Sequence, residues 1–325
     1  MKTWRYLGRR ALQALLVLVL IACTNFLIVS AAPGDMVDVI AGESSAGDEL
    51  YMQALRAKYG LEQPLPVRLV RYLKAMITLD LGHSFRYNEP VADLILSRFP
   101  ATLLLMLSSL GIALIGGIVL GVAAARRPGS ARDSTISVLA LLGYSTPLFW
   151  FGLMLIVLMS VKLDLLPSSG MRTIGTDLAP LEAVLDVARH LIMPSITLAL
   201  FYLSTYTRLM RASMLEMYGM DFVRAAKAKG LNERQVAYRH VLRNAILPLV
   251  SLFGVQLGAV LGGSVVVEVV FGWPGLGTLA FDALFQRDLN LLMGILFMSS
   301  ALVVVVNLAV DLLYSWLDPR IEVGA

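Results

Sequence analysis

Six long apolar stretches without a single Asp, Glu, Lys or Arg constrain this chain more than any other feature of its sequence. A helix needs about 20 consecutive apolar residues to cross the hydrocarbon core of a bilayer. A charge at the middle of such a helix costs roughly 2.5–3.5 kcal/mol on the insertion scale. The six stretches are therefore predicted to be transmembrane helices. They run from Ala11 to Ala32, Ala101 to Ala125, Thr135 to Val161, Leu191 to Thr207, Ala245 to Val267 and Leu289 to Val310.

The composition supports the same class. Hydrophobic residues make up 58% of the 325 and charged residues 15%, with a mean hydropathy of +0.75. A soluble domain has about 45–50% apolar and about 25% charged residues. The net charge of +4 does not indicate nucleic-acid binding, because the basic residues lie between the apolar stretches, where they orient membrane proteins. The predicted fold class is all-α, a polytopic membrane protein with six transmembrane helices.

The connections between the stretches differ in charge. Residues 1–10, 126–134 and 208–244 carry more Lys and Arg than Asp and Glu, and the other three connections are balanced or slightly acidic. The positive-inside rule then predicts that both termini and both basic loops are cytoplasmic. The expected organisation is a cytoplasmic segment 1–10, a first span 11–32, an external loop 33–100 with short helices, and a five-span core 101–325 that contains the cytoplasmic loop 208–244.

The external loop is expected to be partly helical. Asp48 is placed to cap a helix that runs to Tyr59 and ends at Gly60. Four apolar residues farther on fall on one helical face and predict a helix that lies in the membrane interface: Val91, Leu94, Ile95 and Phe99. The loop has no room for a separate ligand-binding domain, so substrate capture is expected to belong to another protein.

Small residues recur at four-residue spacing in two of the stretches. One set is Gly254, Gly258 and Gly262, and the other is Ala113, Gly117 and Gly121. Such spacing forms a groove that another helix backbone can approach. The stricter glycine set favours a packing or pore-lining face. The second set is equally consistent with the general abundance of glycine in membrane helices.

The segment from Asp221 to Asn244 is the most informative loop. Asp221 is a good N-cap, and Gly230 is a good stop for a helix that runs to Lys229. Asn232 and Gln235 then have the spacing of a capping box for a second helix. A helix this short is marginal in water, so the first one is expected to pack on a partner protein, with Ala226 close to that partner. The alternative is a basic loop that only sets topology.

This segment resembles the EAA loop of binding-protein-dependent ABC importer permeases, in the variant of the dipeptide and oligopeptide subfamily. The segment departs from the general consensus in two places. Arg224 stands where the name-giving Glu is expected, and the pair Leu247-Pro248 follows Gly230 at a greater distance than in the general form. The peptide-type permeases share both departures. The resemblance implies an ATPase-coupling role for Asp221, Phe222, Arg224, Ala225, Ala226, Lys229, Gly230 and Leu231.

Further motifs extend the resemblance over nearly the whole chain. They are Arg9-Arg10, Pro33-Gly34-Asp35, Leu79 to Ser84, Gly143 to Pro147 with Phe149-Trp150, Glu268 with Phe271 to Gly277, Asp311 to Tyr314, and Leu317 to Arg320.

The resemblance implies a type I ABC importer permease in the bacterial inner membrane. A homologous second permease, two ATPase subunits or domains and a periplasmic substrate-binding protein are the implied partners. The chain has no GxxxxGK[ST] phosphate loop, so ATP and Mg²⁺ are expected in the ATPases, with no cofactor and no enzymatic activity in this chain. Di- or oligopeptides are the expected substrates, and nickel, glutathione or opine-type compounds are the alternatives.

Two other classes of membrane protein fit the sequence less well. Secondary transporters usually carry ionisable residues inside the bilayer, which these stretches lack. An intramembrane enzyme is disfavoured by three scattered histidines and the absence of HExxH and GxSxG patterns. The single cysteine, Cys23, excludes a multi-cysteine metal site, and no metal is expected. Polar residues in or beside the stretches are candidates for the translocation pathway, with interhelical hydrogen bonding as the alternative: Tyr144, Ser145, Gln256, Ser264, Glu268 and Asn307.

Overall fold

The computed structural model describes residues 2–31, 63–78, 80–175 and 178–317, together with residues 53 and 57. Among these residues the regular structure is helical, and the one isolated β-bridge joins His83 and Pro90. Apart from Gln53 and Ala57, the predicted helix from Asp48 to Tyr59 lies outside the described residues. So do Leu79 and the motifs at 33–35 and 318–320.

The helices are numbered in chain order. They are α1 Lys2–Ala31, α2 Leu65–Thr78, α3 Val91–Ala125, α4 Ala131–Ser145, α5 Leu148–Leu155 with the π-helical segment Ile156–Lys162, α6 Pro180–Tyr218, α7 Asp221–Ala228, α8 Glu233–Gln235 with the π-helical segment Val236–Val241, α9 Leu242–Ala245, α10 Leu247–Gly263, α11 Val265–Phe271, α12 Leu276–Phe285 and α13 Leu289–Leu317. The chain forms two compact units, residues 1–100 with 278–325, and residues 101–277.

In the first unit, α1 packs against α13 and α2. The Phe26 and Tyr72 rings lie 5.5 Å apart between centroids. Asp288 is fully buried in front of α13 and accepts hydrogen bonds from the Leu291 N–H, at 3.1 Å, and from the Ser84 hydroxyl. The buried carboxylate therefore caps α13 and ties the loop at Ser84 to it.

In the second unit, α3 packs closely on α6. A Cβ added at Gly117 or Gly121 would lie less than 3.0 Å from the side chains of Tyr206 or Met210. Both glycines are therefore needed for the approach of the two helices, which confirms the packing interpretation for the second small-residue set. The first set lies in α10, and Gly254 is buried.

Where the structure describes them, the six predicted stretches are helical except at short breaks at residues 146–147, 246 and 264, which confirms the all-α prediction. Among the described residues, three helices, α3, α6 and α13, are long and apolar enough to cross a membrane alone, and up to six spans result if each bent helix pair counts as one. Those pairs are α4 with the segment 148–162, residues 233–245 with 247–257, and α11 with α12. The apolar part of α1, Leu12–Ile28, is shorter.

The sequence pattern did not predict the bends. The predicted third span turns by 103° between Ser145 and Leu148. Thr146 there has the extended conformation, with φ −77° and ψ 126°. Pro147 explains this, because proline disfavours the helical conformation in the residue before it and cannot donate a backbone hydrogen bond.

The prediction of a separate helix in the membrane interface after residue 90 was wrong. The helix continues through Pro100 as the first part of α3. Val91, Leu94 and Ile95 do share a face, but they are buried in the protein. An apolar helical face is the same in sequence whether lipid or protein covers it, and here it is protein.

Candidate functional site

Helix α7 forms the centre of the predicted coupling loop, and Gly230 ends it. Gly230 has φ +79°, the left-handed conformation that favours glycine. The Gly230 N–H donates to the Lys227 carbonyl at 2.9 Å, and the Leu231 N–H donates to the Ala226 carbonyl at 3.4 Å. The predicted helix, its stop signal and the tight turn at Gly230 are therefore all present.

The two apolar faces of α7 have different environments. Val223 and Ala226 are buried, with exposed fractions of 2% and 5%, and α7 packs on the π-helical segment Val236–Val241. Phe222, Arg224 and Ala225 are exposed. Ala226 lies one turn from Val223 on the inward face and packs within this chain, and its expected closeness to a partner stays a prediction.

The start of α7 also differs from the prediction by one residue. Met220 occupies the N-cap position, and Asp221 is the first helical residue. Its carboxylate still lies in the first turn, where a negative charge favours the helix dipole. Asp221 and Arg224 are highly exposed, and their closest charged atoms are 3.5 Å apart, so this ion pair contributes little to stability.

The second helix begins as predicted at Asn232. The Asn232 Oδ1 accepts from the Gln235 N–H at 2.8 Å, and the Gln235 Oε1 accepts from the Asn232 N–H at 3.1 Å. This capping box starts only the short helix α8, after which the chain continues as a π-helical segment and α9. A bend of 41° then separates α9 from α10 near Pro248.

A bidentate ion pair joins the two basic connections, 126–134 and 208–244. The Arg211 Nε and Nη2 donate to the two carboxylate oxygens of Asp133 at 2.6 and 2.8 Å. The Gly129 N–H also donates to Asp133, at 2.9 Å. The pair fixes the start of α4 to the end of α6, outside the apolar stretches 135–161 and 191–207.

The hydrogen bonds from Arg211, followed by the one from Gly129, lower the pKa of Asp133 to about 2. A carboxyl whose pKa is lowered by folding stabilises the folded state above its unfolded pKa, about 3.9. That contribution is lost only as the pH falls through about 2. The Asp133–Arg211 pair therefore stays charged throughout the pH range of a living cell.

Two of the predicted pathway residues are fully buried and belong to a hydrogen-bonded cluster. The Glu268 Oε1 accepts from the Thr102 hydroxyl at 2.9 Å and from the Ser264 hydroxyl at 3.0 Å. The Thr102 hydroxyl in turn accepts from the Leu276 N–H at 2.8 Å. Glu268 thus holds the turn after α11 against the start of the 101–125 stretch. An interhelical hydrogen bond from Thr102 holds Glu268, and Ser264 bonds locally to the same carboxylate, four residues along the chain.

The other pathway candidates lie elsewhere. Tyr144 and Ser145 are exposed at the end of α4, beside the bend at Pro147. Gln256 is half-buried in α10, and its Oε1 has no hydrogen-bond partner among the described residues. Asn307 is an exposed residue of α13 in the first unit. Within the second unit the structure therefore groups Tyr144 with Ser145, and Ser264 with Glu268.

The sequence matches two family descriptions that together cover most of the chain. Residues 117–323 match the family of binding-protein-dependent transport system inner membrane components, and residues 3–106 match the N-terminal region of such components. The chain belongs to this family. The family membership confirms the resemblance seen in the motifs and makes the chain a membrane component of a transport system.

Individual relatives of this inner membrane component extend over nearly its full length. The chain is 41% identical over 320 residues to the oligopeptide transport system permease protein AppB of Bacillus subtilis, covering 98% of this chain and 99% of AppB. It is 39% identical over 319 residues to the dipeptide transport system permease protein DppB of Escherichia coli, covering 93% and 94%.

Solved structures support the fold of the component. The inward-facing MetNI methionine ABC transporter matches 71% of this chain and 99% of its own chain, with a TM-score of 0.57 and 19% sequence identity. Similarity at this identity concerns the fold, which is that of type I ABC importer permeases.

Sequence reasoning about the component missed the Asp133–Arg211 pair and the Glu268 cluster. In both cases the partners are far apart in sequence, 78 residues for Asp133 and Arg211 and 166 for Thr102 and Glu268. One signal was visible. Asp133 is the only acidic residue in the basic connection 126–134.

Proposed function

We propose that this chain imports di- or oligopeptides as one of two permease subunits of an ABC transporter. The observation that carries the proposal is its similarity, over nearly the full length of both chains, to proteins named as oligopeptide and dipeptide permeases. A homologous permease completes the pathway, a periplasmic binding protein delivers the peptide, and two ATPase subunits or domains bind ATP and Mg²⁺ and hydrolyse ATP.

The exposed side of α7 is the proposed contact with an ATPase. It presents Arg224 and Ala225 to the outside, with Phe222 38% exposed at its edge. The buried side of α7 rests on the segment Val236–Val241, so a push on α7 reaches the helices behind it. In this proposal the contact with the ATPase ends at the turn after α7, which is formed by Lys229, Gly230 and Leu231.

Uptake experiments test the substrate. A strain that lacks this gene, and the same strain complemented with it, are given a labelled dipeptide and labelled nickel in separate assays. We expect peptide uptake to fall at least tenfold in the deletion strain and to return on complementation, with nickel uptake unchanged. Unchanged peptide uptake together with lost nickel uptake would assign the chain to a metal importer instead.

The proposed orientation places α7 and both termini in the cytoplasm of a bacterium, in its inner membrane. It rests on the excess of basic residues in segments 1–10, 126–134 and 208–244. Reporter fusions that are active on only one side of the membrane test it at two points. A fusion after Asn88 is expected to report the periplasm and one after Lys229 the cytoplasm. The same compartment for both would contradict the proposed orientation.

A further inference from the structure

Arg208 has an unusual position for a charged residue of a membrane protein. It lies one turn before Arg211 in α6, but its guanidinium is directed to the aromatic residues beside the bend. The Arg208 Cζ lies 4.8 Å from the centroid of the Tyr144 ring, which is a cation–π contact. The Tyr144 ring is stacked on Phe201 with centroids 5.2 Å apart.

The level of this contact follows from the geometry of α4. Tyr144 lies about three turns beyond Asp133, which is about 16 Å at 1.5 Å per residue. The Tyr144 backbone therefore lies well inside the apolar stretch 135–161, and the guanidinium that contacts its ring lies on the apolar side of the Asp133–Arg211 pair. Helical side chains tilt towards the N-terminus of their helix, and for Arg208 that direction is away from the Asp133–Arg211 pair.

The surroundings of Arg208 do not neutralise it. Both Arg208 and Tyr144 are exposed, and among the described residues no carboxylate forms an ion pair with Arg208. An arginine that faced lipid at this level would be strongly disfavoured, and charged residues inside spans usually face a water-filled cavity or a partner group. The uncovered guanidinium thus requires water or an anion.

We propose that Arg208, held over Tyr144, lines the translocation pathway and binds the C-terminal carboxylate of the passing peptide. A guanidinium offers a planar pair of donors that fits a carboxylate, and the Tyr144 and Phe201 rings supply an apolar surface for the adjoining side chain of the peptide. This inference rests on the proposed function, because the ligand is the carboxylate of the transported peptide.

The test compares two peptides of the same sequence, one with a free C-terminal carboxylate and one with a C-terminal amide. The complete transporter, with binding protein and ATPases, is reconstituted in liposomes with wild-type chain, with Arg208→Gln, or with Arg132→Gln as a matched control. Arg132 is an exposed arginine at the start of α4. The measured quantity is the uptake rate of the free-acid peptide divided by that of the amide. The same binding protein is used with every variant, so its own preference between the two peptides cancels when the variants are compared.

We expect Arg208→Gln to lower this ratio by about tenfold, since a charge-assisted hydrogen bond of about 1.5 kcal/mol corresponds to that factor. Arg208→Lys should retain part of the preference, and Arg132→Gln should leave it unchanged. An equal loss for both peptides, or no loss, would overturn the assignment of Arg208 to the carboxylate. Failure of the wild-type transporter to take up either peptide would instead defeat the proposed function, and the inference with it.

A second measurement tests whether water reaches the surface around Arg208 in the assembled transporter. In a Cys23→Ser background, Arg208→Cys should react rapidly with a membrane-impermeant thiol reagent. Arg132→Cys serves as the exposed reference. Absence of labelling at position 208 in the assembled transporter would mean that lipid or another subunit covers the face, and would also overturn the proposal.

Discussion

Ala225→Glu is expected to abolish substrate-stimulated ATP hydrolysis while leaving the amount of protein in the membrane close to the wild-type level. Ala225 is exposed on the side of α7 that we assign to the ATPase contact. A glutamate there would meet a packed interface as an unpaired, desolvated charge, which costs several kcal/mol. The folded chain itself has room for the side chain, so its stability should change little.

Ala226→Glu is expected to give the opposite result. Ala226 is 5% exposed and packs within the chain, so the same charge would destabilise this protein rather than the contact. Its abundance in the membrane should fall several-fold because an unpaired buried charge costs several kcal/mol. The control Ala225→Ser should behave like wild type.

Both measurements use reconstituted complexes with binding protein and peptide present, alongside quantitative blots of the membrane fraction. If Ala225→Glu assembles, hydrolyses ATP and transports like wild type, α7 does not dock an ATPase. The alternative of a basic loop that only sets topology would then stand. A normal abundance of Ala226→Glu would show that the inward face of α7 is not packed.

A large loss of folding stability is expected when a side chain is added at the turn after α11. A Cβ at Gly277 would lie 2.7 Å from the Val265 Cα and 2.8 Å from the Glu268 Oε2. At Gly275 the three nearest atoms all belong to the Glu268 carboxylate, and each would be closer than 3.0 Å. That carboxylate is buried and hydrogen-bonded, so it has little freedom to withdraw.

Gly275→Ala and Gly277→Ala should therefore each lower the free energy of unfolding by about 1–3 kcal/mol or more, the usual cost of overpacking. Glu268→Ala should relieve the clash at position 275, because it removes the obstructing group. It should not relieve the clash at position 277, where a backbone atom of Val265 stands in the way. Gly111→Ala is the control, since a Cβ there meets nothing within 4 Å.

Thermal or denaturant unfolding of the purified single and double variants measures these differences as a double-mutant cycle. The expected coupling energy is large for positions 275 and 268 and small for positions 277 and 268. Equal rescue of both glycine variants by Glu268→Ala would contradict the arrangement described for Glu268. A variant at Gly275 as stable as Gly111→Ala would contradict it as well.

Local signals in the sequence predicted local structure well. Charge-free stretches identified the helices. Gly230 identified the end of α7 and the pair Asn232–Gln235 the start of α8, since these signals depend on residues a few positions apart. The Thr146-Pro147 pair is also a local signal for the bend in the third stretch, because proline disfavours the helical conformation in the residue before it.

Tertiary placement was the part that local patterns could not supply. Helix α7 has two apolar pairs with the same three-residue spacing, Phe222 with Ala225 and Val223 with Ala226. Only the packing of α7 on the segment 236–241 decides which pair is buried. Glu268 likewise occupies a position that depends on a residue far away in the sequence. Its sequence neighbours indicate a helix end, but Thr102, which buries and holds it, lies 166 residues away.

Helix α6 is so long that a small tilt of the helix produces a large displacement at its end. It is 39 residues long, about 58 Å at 1.5 Å per residue, and only Gly219 and Met220 separate it from α7. If the helix pivots as a rigid rod about one end, a tilt of about 5° displaces the other end by about 5 Å over that length. Pro194 lacks the backbone N–H of one helical turn, which weakens the helix there. For a pivot at Pro194 the stiff arm is the 25 residues from Ser195 to Gly219, about 37 Å, and the same tilt of about 5° displaces its end by about 3 Å. A movement of α7 by the width of a single side chain is therefore enough to swing the whole arm.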